Sequence, residues 1–134
     1  MRKYILHQVN CLGAFGAGFA RYLSTVSPDI RKDYQSYVMS HEDKRTLLGT
    51  YHIYDLDEHT SIVHIFSQYS YGRGACHTDY EAMDKAVGEL RRNIGEAVCI
   101  CPYLMGCGLA GGDWRIVEKI LEKYSVMPSS NIVL

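Results

Sequence analysis

The chain has 134 residues, 47% hydrophobic and 22% charged, with 14 Lys and Arg against 15 Asp and Glu. That profile excludes disorder as the main description and predicts one soluble domain around one core, long enough to fold without a disulfide framework. The formal charge of -1 gives no basic field for a phosphate backbone and argues against general nucleic-acid binding.

Cys11, Cys76, Cys99, Cys101 and Cys107 form an odd set in apolar surroundings, which suits a reducing compartment and predicts a cytoplasmic protein. Met1-Arg2-Lys3 ahead of an apolar stretch ending at Ala20 imitates a secretory signal. His7, Gln8 and Asn10 interrupt that stretch, however, and Gly13, Gly16 and Gly18 make it a poor continuous helix. The uncharged run from Ala97 to Gly112 is broken by Pro102 and glycines before it could span a bilayer, so no membrane segment is expected.

In chain order, Lys3 to Val9 reads as a buried strand bounded by a glycine loop. Phe19, Ala20, Tyr22 and Leu23 fit a short helix, and Ser27-Pro28 has the form of an N-cap with proline at the first helical position, opening a second helix through Ile30, Tyr34 and Val38. Leu47 to Tyr54 and Ser61 to Ser67 are rich in β-branched and aromatic residues, and the polar Asp55 to His59 between them predicts a hairpin. Thr78-x-x-Glu81 reads as a capping box for a helix carrying Met83, Val87, Leu90 and Ile94 to about Asn93. Ala97 to Tyr103 is a short apolar strand, Asp113 caps a helix with Ile116, Val117, Ile120, Leu121 and Tyr124 on one face, and Asn131 to Leu134 is expected as a closing strand. Strands alternating with helices predict a layered α/β sheet without a linker or repeat.

The informative feature is a repeated context: strand, glycine-rich loop, helix, at Asn10 to Phe19 and again at Tyr103 to Trp114. Glycine lets a ligand approach the backbone amides, and the helix behind turns unpaired N–H groups and a partial positive charge toward an anion, so phosphate is the natural candidate. Neither loop is a Walker motif, and Gly13-x-x-Gly16-x-Gly18 lacks the dinucleotide spacing. Glycines in such loops also serve tight packing of helix on sheet, and an α/β domain whose loops only pack is the blandest alternative.

His7-Gln8-Val9-Asn10-Cys11 running into Gly13-Ala14-Phe15-Gly16-Ala17-Gly18-Phe19-Ala20 resembles the first ligand loop of macro domains, the ADP-ribose-binding family. Gly106-Cys107-Gly108-Leu109-Ala110-Gly111-Gly112-Asp113-Trp114 is similar to that family's diphosphate loop, and Thr78 to Ala82 resembles a helix start in its small phage, bacterial and eukaryotic branch, which includes terminal ADP-ribose glycohydrolases and ADP-ribose 1″-phosphate phosphatases. The resemblance implies a three-layer α/β/α sandwich with a mixed central sheet. It implies that Asn10 hydrogen-bonds the distal ribose, that Gly16, Ala17, Gly18 and Phe19 lie against ribose and diphosphate, and that Gly106, Cys107, Gly108, Leu109, Ala110 and Gly111 wrap the diphosphate from the other side, with Gln68 beside them.

The departures are equally specific. The family's usual first strand, which ends in an adenine-reading Asp, has no counterpart ahead of Lys3, and no aromatic follows the last strand to stack on the base, leaving Tyr69 or Tyr71 as substitutes. Where the lysine-dependent glycohydrolases carry their nucleophile this chain has Gln68, and their partner acid falls at Ala110, so that chemistry is rejected. What the resemblance leaves is hydrolysis by positioning, with Asn10 orienting the ribose and Asp113 or His7 orienting water, as ADP-ribose 1″-phosphate would require. A non-catalytic reader or sequestering protein for ADP-ribose or another NAD-derived nucleotide is the alternative.

The individual residues also have plain readings. Asp113 is placed as a helix cap more readily than a catalyst, and His7 on a buried strand as hydrogen-bonded structure. Cys99 and Cys101 share a strand face at a spacing unlike structural zinc ligands, Arg73 is either a phosphate contact or solvated, and His41 to Arg45 reads as a solvated turn. The expected partner is a small molecule, with no cofactor, metal or membrane, and the oligomeric state is left open.

Overall fold

A five-stranded sheet in the order β2-β3-β1-β4-β5 organises the chain. The computed structural model describes residues 1–134. The strands are β1 (Lys3–Asn10), β2 (Tyr51–Asp55), β3 (Thr60–Gln68), β4 (Val98–Pro102) and β5 (Val126–Ser129), and the helices α1 (Gly18–Val26), α2 (Pro28–Met39), α3 (Tyr80–Ile94) and α4 (Trp114–Lys123). β1, β3, β4 and β5 run parallel, and β2 joins the edge antiparallel through its hairpin with β3, so the sheet is mixed.

Alternation along β1 decides which helices cover which face. Ile5 and Val9 point to a cluster with Leu23, Ile30, Tyr34 and Val38 of α1 and α2, joined by Ile62 and Phe66 of β3. Leu6 points the other way, into a cluster with Val63, Met83, Leu90, Val117 and Leu121, under α3 and α4. Helices on both faces make three layers, as expected, and each fully buried Leu or Ile in them contributes about 1.5–3 kcal/mol.

Strand order places the ligand loops. From β1 the chain passes through α1 and α2 to the edge strand β2, returns by the hairpin to β3 beside β1, and then α3 carries it across to β4 on the other side of β1. The connections leaving β1 and β4 therefore diverge to opposite faces, opening a crevice at the carboxyl ends of adjacent parallel strands. The register shifts from Val9 opposite Phe66 to Asn10 opposite Gln68, so Ser67 is an extra residue in β3 and the bulge bends the end of that strand at the crevice.

Four local expectations need correction. The segment from Leu47 does not start as strand: Asp43 accepts from the Arg45 N–H and opens a 3-10 turn over Lys44–Leu47, Gly49 follows at φ +86°, and pairing begins only at Tyr51. Ser27 does occupy the N-cap position of α2 with Pro28 opening the helix, but its side chain makes no capping hydrogen bond. Thr78 does not cap α3. Asp79 does, accepting from the Ala82 N–H at 3.0 Å, while the Thr78 hydroxyl donates to the Gly106 carbonyl at 2.6 Å. Asp79→Ala should accordingly lower unfolding stability by about 1 kcal/mol in urea titration, the usual effect of losing an Asp cap.

The final strand is Val126–Ser129, not residues 131–134. Ser125, at φ +56°, turns the chain from α4 straight into pairing with β4, and Pro128 is tolerated because β5 is an edge. Residues 131–134 instead return over α1: the Leu134 N–H donates to the Tyr22 hydroxyl at 2.8 Å, and Ile132 and Leu134 pack beside the α1–α2 cluster. No helix is long and apolar enough to cross a membrane.

Candidate functional site

A cleft of about 460 Å³ opens at the switch between β1 and β4. One wall is the segment from Ala14 to Ala20, the other the segment from Pro102 to Ala110 without Cys107, and Gln68 and Tyr71 to Arg73 close one end. No Asp, Glu or Lys lines it, and Arg73 is its one arginine.

The first wall is held by Asn10. Its Oδ1 accepts from the N–H groups of Leu12 and Ala14 and from the Tyr34 hydroxyl, and its Nδ2 donates to the Ala14 carbonyl at 2.7 Å. The acceptor half of the amide is thus committed to the loop, and one Nδ2–H remains free, so Asn10 cannot both donate to and accept from a sugar diol. Beyond it, α1 begins at Gly18 behind Ala17, with no side-chain cap. Asp79 and Asp113 do cap α3 and α4, so of these three helices only α1, whose N-terminus lies on the cleft wall, leaves its first-turn N–H groups to other partners.

The second wall is built on a polar knot. Gln8 on β1 donates through Nε2 to Gln68 Oε1 at 2.8 Å and to Thr78 Oγ1 at 3.0 Å, and its Oε1 accepts from Ser67 Oγ at 2.6 Å. Thr78 passes the connection to the Gly106 carbonyl, and the His77 N–H donates to the Ala110 carbonyl at 2.7 Å. Gly106 sits at φ +77°, which strains any other residue, and a Cβ there would lie 2.9 Å from Gln8 Oε1 and push on the knot. The N–H groups of Gly108, Leu109 and Ala110 make no hydrogen bond within the protein, and neither do those of Gly16 and Ala17. Two sets of unpaired amides on opposite walls of a cleft without carboxylates form a concavity suited to an anion.

The residues singled out from sequence divide accordingly. Asn10, His7, Gly16, Ala17, Gly18, Phe19, Gln68, Gly106, Gly108, Leu109 and Ala110 all line the cleft. Asp113, Cys107 and Gly111 do not. The Asp113 carboxylate accepts from the Arg115 N–H at 2.9 Å and pairs with its guanidinium, which holds the acid below the usual carboxylate range, and it is therefore a cap rather than a water-orienting group. Cys107 Sγ donates to the Met105 carbonyl, burial pushes its thiol up, and Gly111 is packed against Ala75. Gln68 lends its amide to Gln8 and to the Ser70 carbonyl. Of the two candidate stacking tyrosines, Tyr71 is at the cleft and Tyr69 is not.

Sequence reasoning missed Pro102, Tyr103, Leu104 and Met105, which continue the second wall. Tyr103 is 53% exposed, set edge-on against Trp114, and shared with an adjoining groove of about 370 Å³ that also takes in Phe19, Tyr22, Ser129 and Ser130. An aromatic directly after a strand and before the glycines was the available signal.

His7 lies on the floor of the cleft, 2% exposed, with Nε2 at 2.7 Å from His64 Nδ1. Burial without a carboxylate partner pushes its imidazole down to about 3, and His64, fully buried, is likewise held well below the usual histidine range by burial first and then by His7 and His52. Both rings are neutral at physiological pH. No cluster of three His, Cys, Asp or Glu side chains has a geometry that could hold a metal ion.

No family model matches the sequence. A 17.5 kDa protein of Enterobacteria phage T4, encoded in the tk-vs intergenic region, is 29% identical over 127 residues, covering 92% of this chain and 80% of its own length. A macrodomain protein from Streptomyces coelicolor superposes with a TM-score of 0.76 at 24% identity, over 95% of this chain and 85% of that one. Thermosipho africanus DarTG, solved in complex with ADP-ribose, superposes with a TM-score of 0.74 at 17% identity over 98% of this chain, which spans 39% of that longer protein. The chain has the macrodomain fold.

Proposed function

We propose that this chain binds ADP-ribose or a close derivative, with the diphosphate between the two glycine-rich walls. The observation that carries the reading is the pair of unpaired amide sets, at Gly16 and Ala17 and at Gly108 to Ala110, facing a cleft that contains no carboxylate and has Arg73 at its end. The macrodomain fold adds to it, since the similar DarTG protein was solved with ADP-ribose in place. The adjoining groove, bordered by Phe19, Tyr22 and Tyr103, offers rings for the nucleobase end.

Hydrolysis of ADP-ribose 1″-phosphate is a narrower reading of the same cleft. Without a lysine or carboxylate on its walls, turnover would rest on a water held in line with the phosphorus while amides stabilise the charge on the transferred phosphoryl group and the departing ribose 1″ oxygen takes up a proton. His7 is the one imidazole on the floor for that water.

Titration calorimetry with ADP-ribose, followed by assay of phosphate released from ADP-ribose 1″-phosphate, separates the readings. Binding with release is expected of a phosphatase, and binding without release of a reader or sequestering protein. Absence of heat with ADP-ribose at millimolar concentration would overturn both.

A further inference from the structure

The neutral histidine pair under the cleft has a handedness that the hydrogen-bond geometry decides. His7 and His64 face each other from neighbouring parallel strands, at paired positions of the β1–β3 register. The contact between His7 Nε2 and His64 Nδ1 needs one proton and one lone pair. His64 Nε2 is enclosed and has no partner, among Phe15, Tyr34 and His52 rings and the His7 ring itself.

Two arrangements satisfy a neutral pair. If His7 donates from Nε2, His64 must carry its own proton on Nε2, which then becomes an enclosed N–H with nothing to receive it, and His7 presents a bare lone pair at Nδ1. If His64 donates from Nδ1, its enclosed Nε2 holds only a lone pair and the His7 proton sits on Nδ1. Enclosed orphan N–H groups are the rarer and more unfavourable of the two defects, which selects the second arrangement. His7 lines the cleft floor, and its Nδ1 has no partner in the protein.

We propose that His64 is a positioning residue that holds His7 as its Nδ1–H tautomer, so that the cleft floor presents one uncharged hydrogen-bond donor selecting an oxygen acceptor, hydroxyl or phosphate, on the ligand. The ligand half of this inference rests on the ADP-ribose reading; the tautomer half stands without it. The arrangement suits an anionic ligand better than a lone pair would, because the unpaired N–H groups of Gly16, Ala17, Gly108, Leu109 and Ala110 on the two walls would add further donors around the same oxygen acceptors. Beyond the rings, Asp33 is engaged with His52 at 2.7 Å and makes no hydrogen bond to either member of the pair. Nothing else on β2, α1 or α2 against the pair carries charge: Phe15, Phe19 and Tyr34 complete its surroundings.

Long-range proton–nitrogen correlation spectra of the uniformly 15N-labelled protein at neutral pH read the tautomers directly, with the His7 signals assigned by their loss in His7→Phe. The expected result is a protonated Nδ1 on both rings. A protonated Nε2 on His7 overturns the proposal. Calorimetry with ADP-ribose supplies the second readout. His64→Leu removes the donor and leaves the His7 Nε2 lone pair without a partner, so the ring loses the hydrogen bond that holds it and affinity should fall about tenfold, the usual scale for a lost hydrogen bond. His64→Asn, whose amide keeps a donor for His7 Nε2, should restore most of that loss. Equal affinity in His64→Leu and the wild type, or a loss of equal size in both variants, rejects the positioning role. If the wild type takes up no ADP-ribose while its spectra show Nδ1–H on His7, the function reading fails and the tautomer assignment survives.

Discussion

Gly108→Trp should raise the Kd for ADP-ribose by two orders of magnitude or more, roughly 2.7 kcal/mol, and leave thermal unfolding within a degree or two of the wild type. The expectation comes from the difference between neighbouring glycines. Gly108 has no left-handed φ, and a Cβ built on it meets nothing within 4 Å, so a large side chain costs the fold little and projects from the cleft wall. Gly106→Ala is the contrasting case: at φ +77°, with a Cβ 2.9 Å from Gln8 Oε1, it should destabilise the protein by about 1–3 kcal/mol. Calorimetry and differential scanning measured on both variants check the pair. Normal ADP-ribose affinity in Gly108→Trp would remove the second wall from the binding site.

The second large effect is on stability against pH. Burial holds His7 down to about 3 and His64 well below its usual range, whereas both titrate near 6.5 in the unfolded chain. Above pH 6.5 neither state binds the protons, and these groups leave stability level. As pH falls below 6.5 the unfolded chain takes them up and the native protein does not, so each histidine lowers stability by about 1.4 kcal/mol per pH unit until its native ring titrates. Together they should remove about 4 kcal/mol between pH 7 and pH 5, seen as a falling urea midpoint. His64→Phe, compared with itself across that range, should show roughly half the slope, because one such group remains. A level midpoint from pH 7 to pH 5 would mean that the pair is not enclosed and neutral.

Much of the fold was legible because the signals were local and periodic. β1 is an apolar run ending at a glycine loop, α3 and α4 carry one apolar face each, and both glycine loops follow strands, so a layered α/β sheet with two loops at strand ends could be read from spacing, while the three layers and the ligand-facing role of the loops came from the family resemblance. The misses came from competition between neighbours. Thr78 and Asp79 are both good cap residues, and tertiary demand from Gly106 takes the first, leaving the second for α3. Leu47 looks like strand, but a buried leucine serves equally in a 3-10 turn once Asp43 initiates one and Gly49 ends it. Val126–Ser129 contains a proline, which counts against a strand except at a sheet edge, and strand order is not local information.

The site shows the same division. That Asn10, His7 and the glycines converge follows from their strand-end positions, but which polar atoms are already engaged does not. Only the folded chain shows that Asn10 serves its own loop with three of its hydrogen-bonding sites, that Gln68 is tied to Gln8, and that Asp113 faces Arg115 outside the cleft. Tyr103, Leu104 and Met105 were read as part of the loop but not as ligand-facing residues; they line the wall through the turn at Leu104, φ 64°.

The knot centred on Gln8 bears on how the cleft meets its ligand. Ser67, Gln68, Thr78 and Gly106 come from three separate stretches of chain, and one side chain from the middle of the sheet links them all, directly or through Thr78. The second wall therefore takes its shape when the protein folds, and little ordering is left to the moment of association. Preorganisation of this kind shows in a small entropic penalty on binding and in free and bound backbones that coincide to within about 1 Å at both glycine loops. Recognition here is by a mould set in advance, with discrimination residing in where the amides already point.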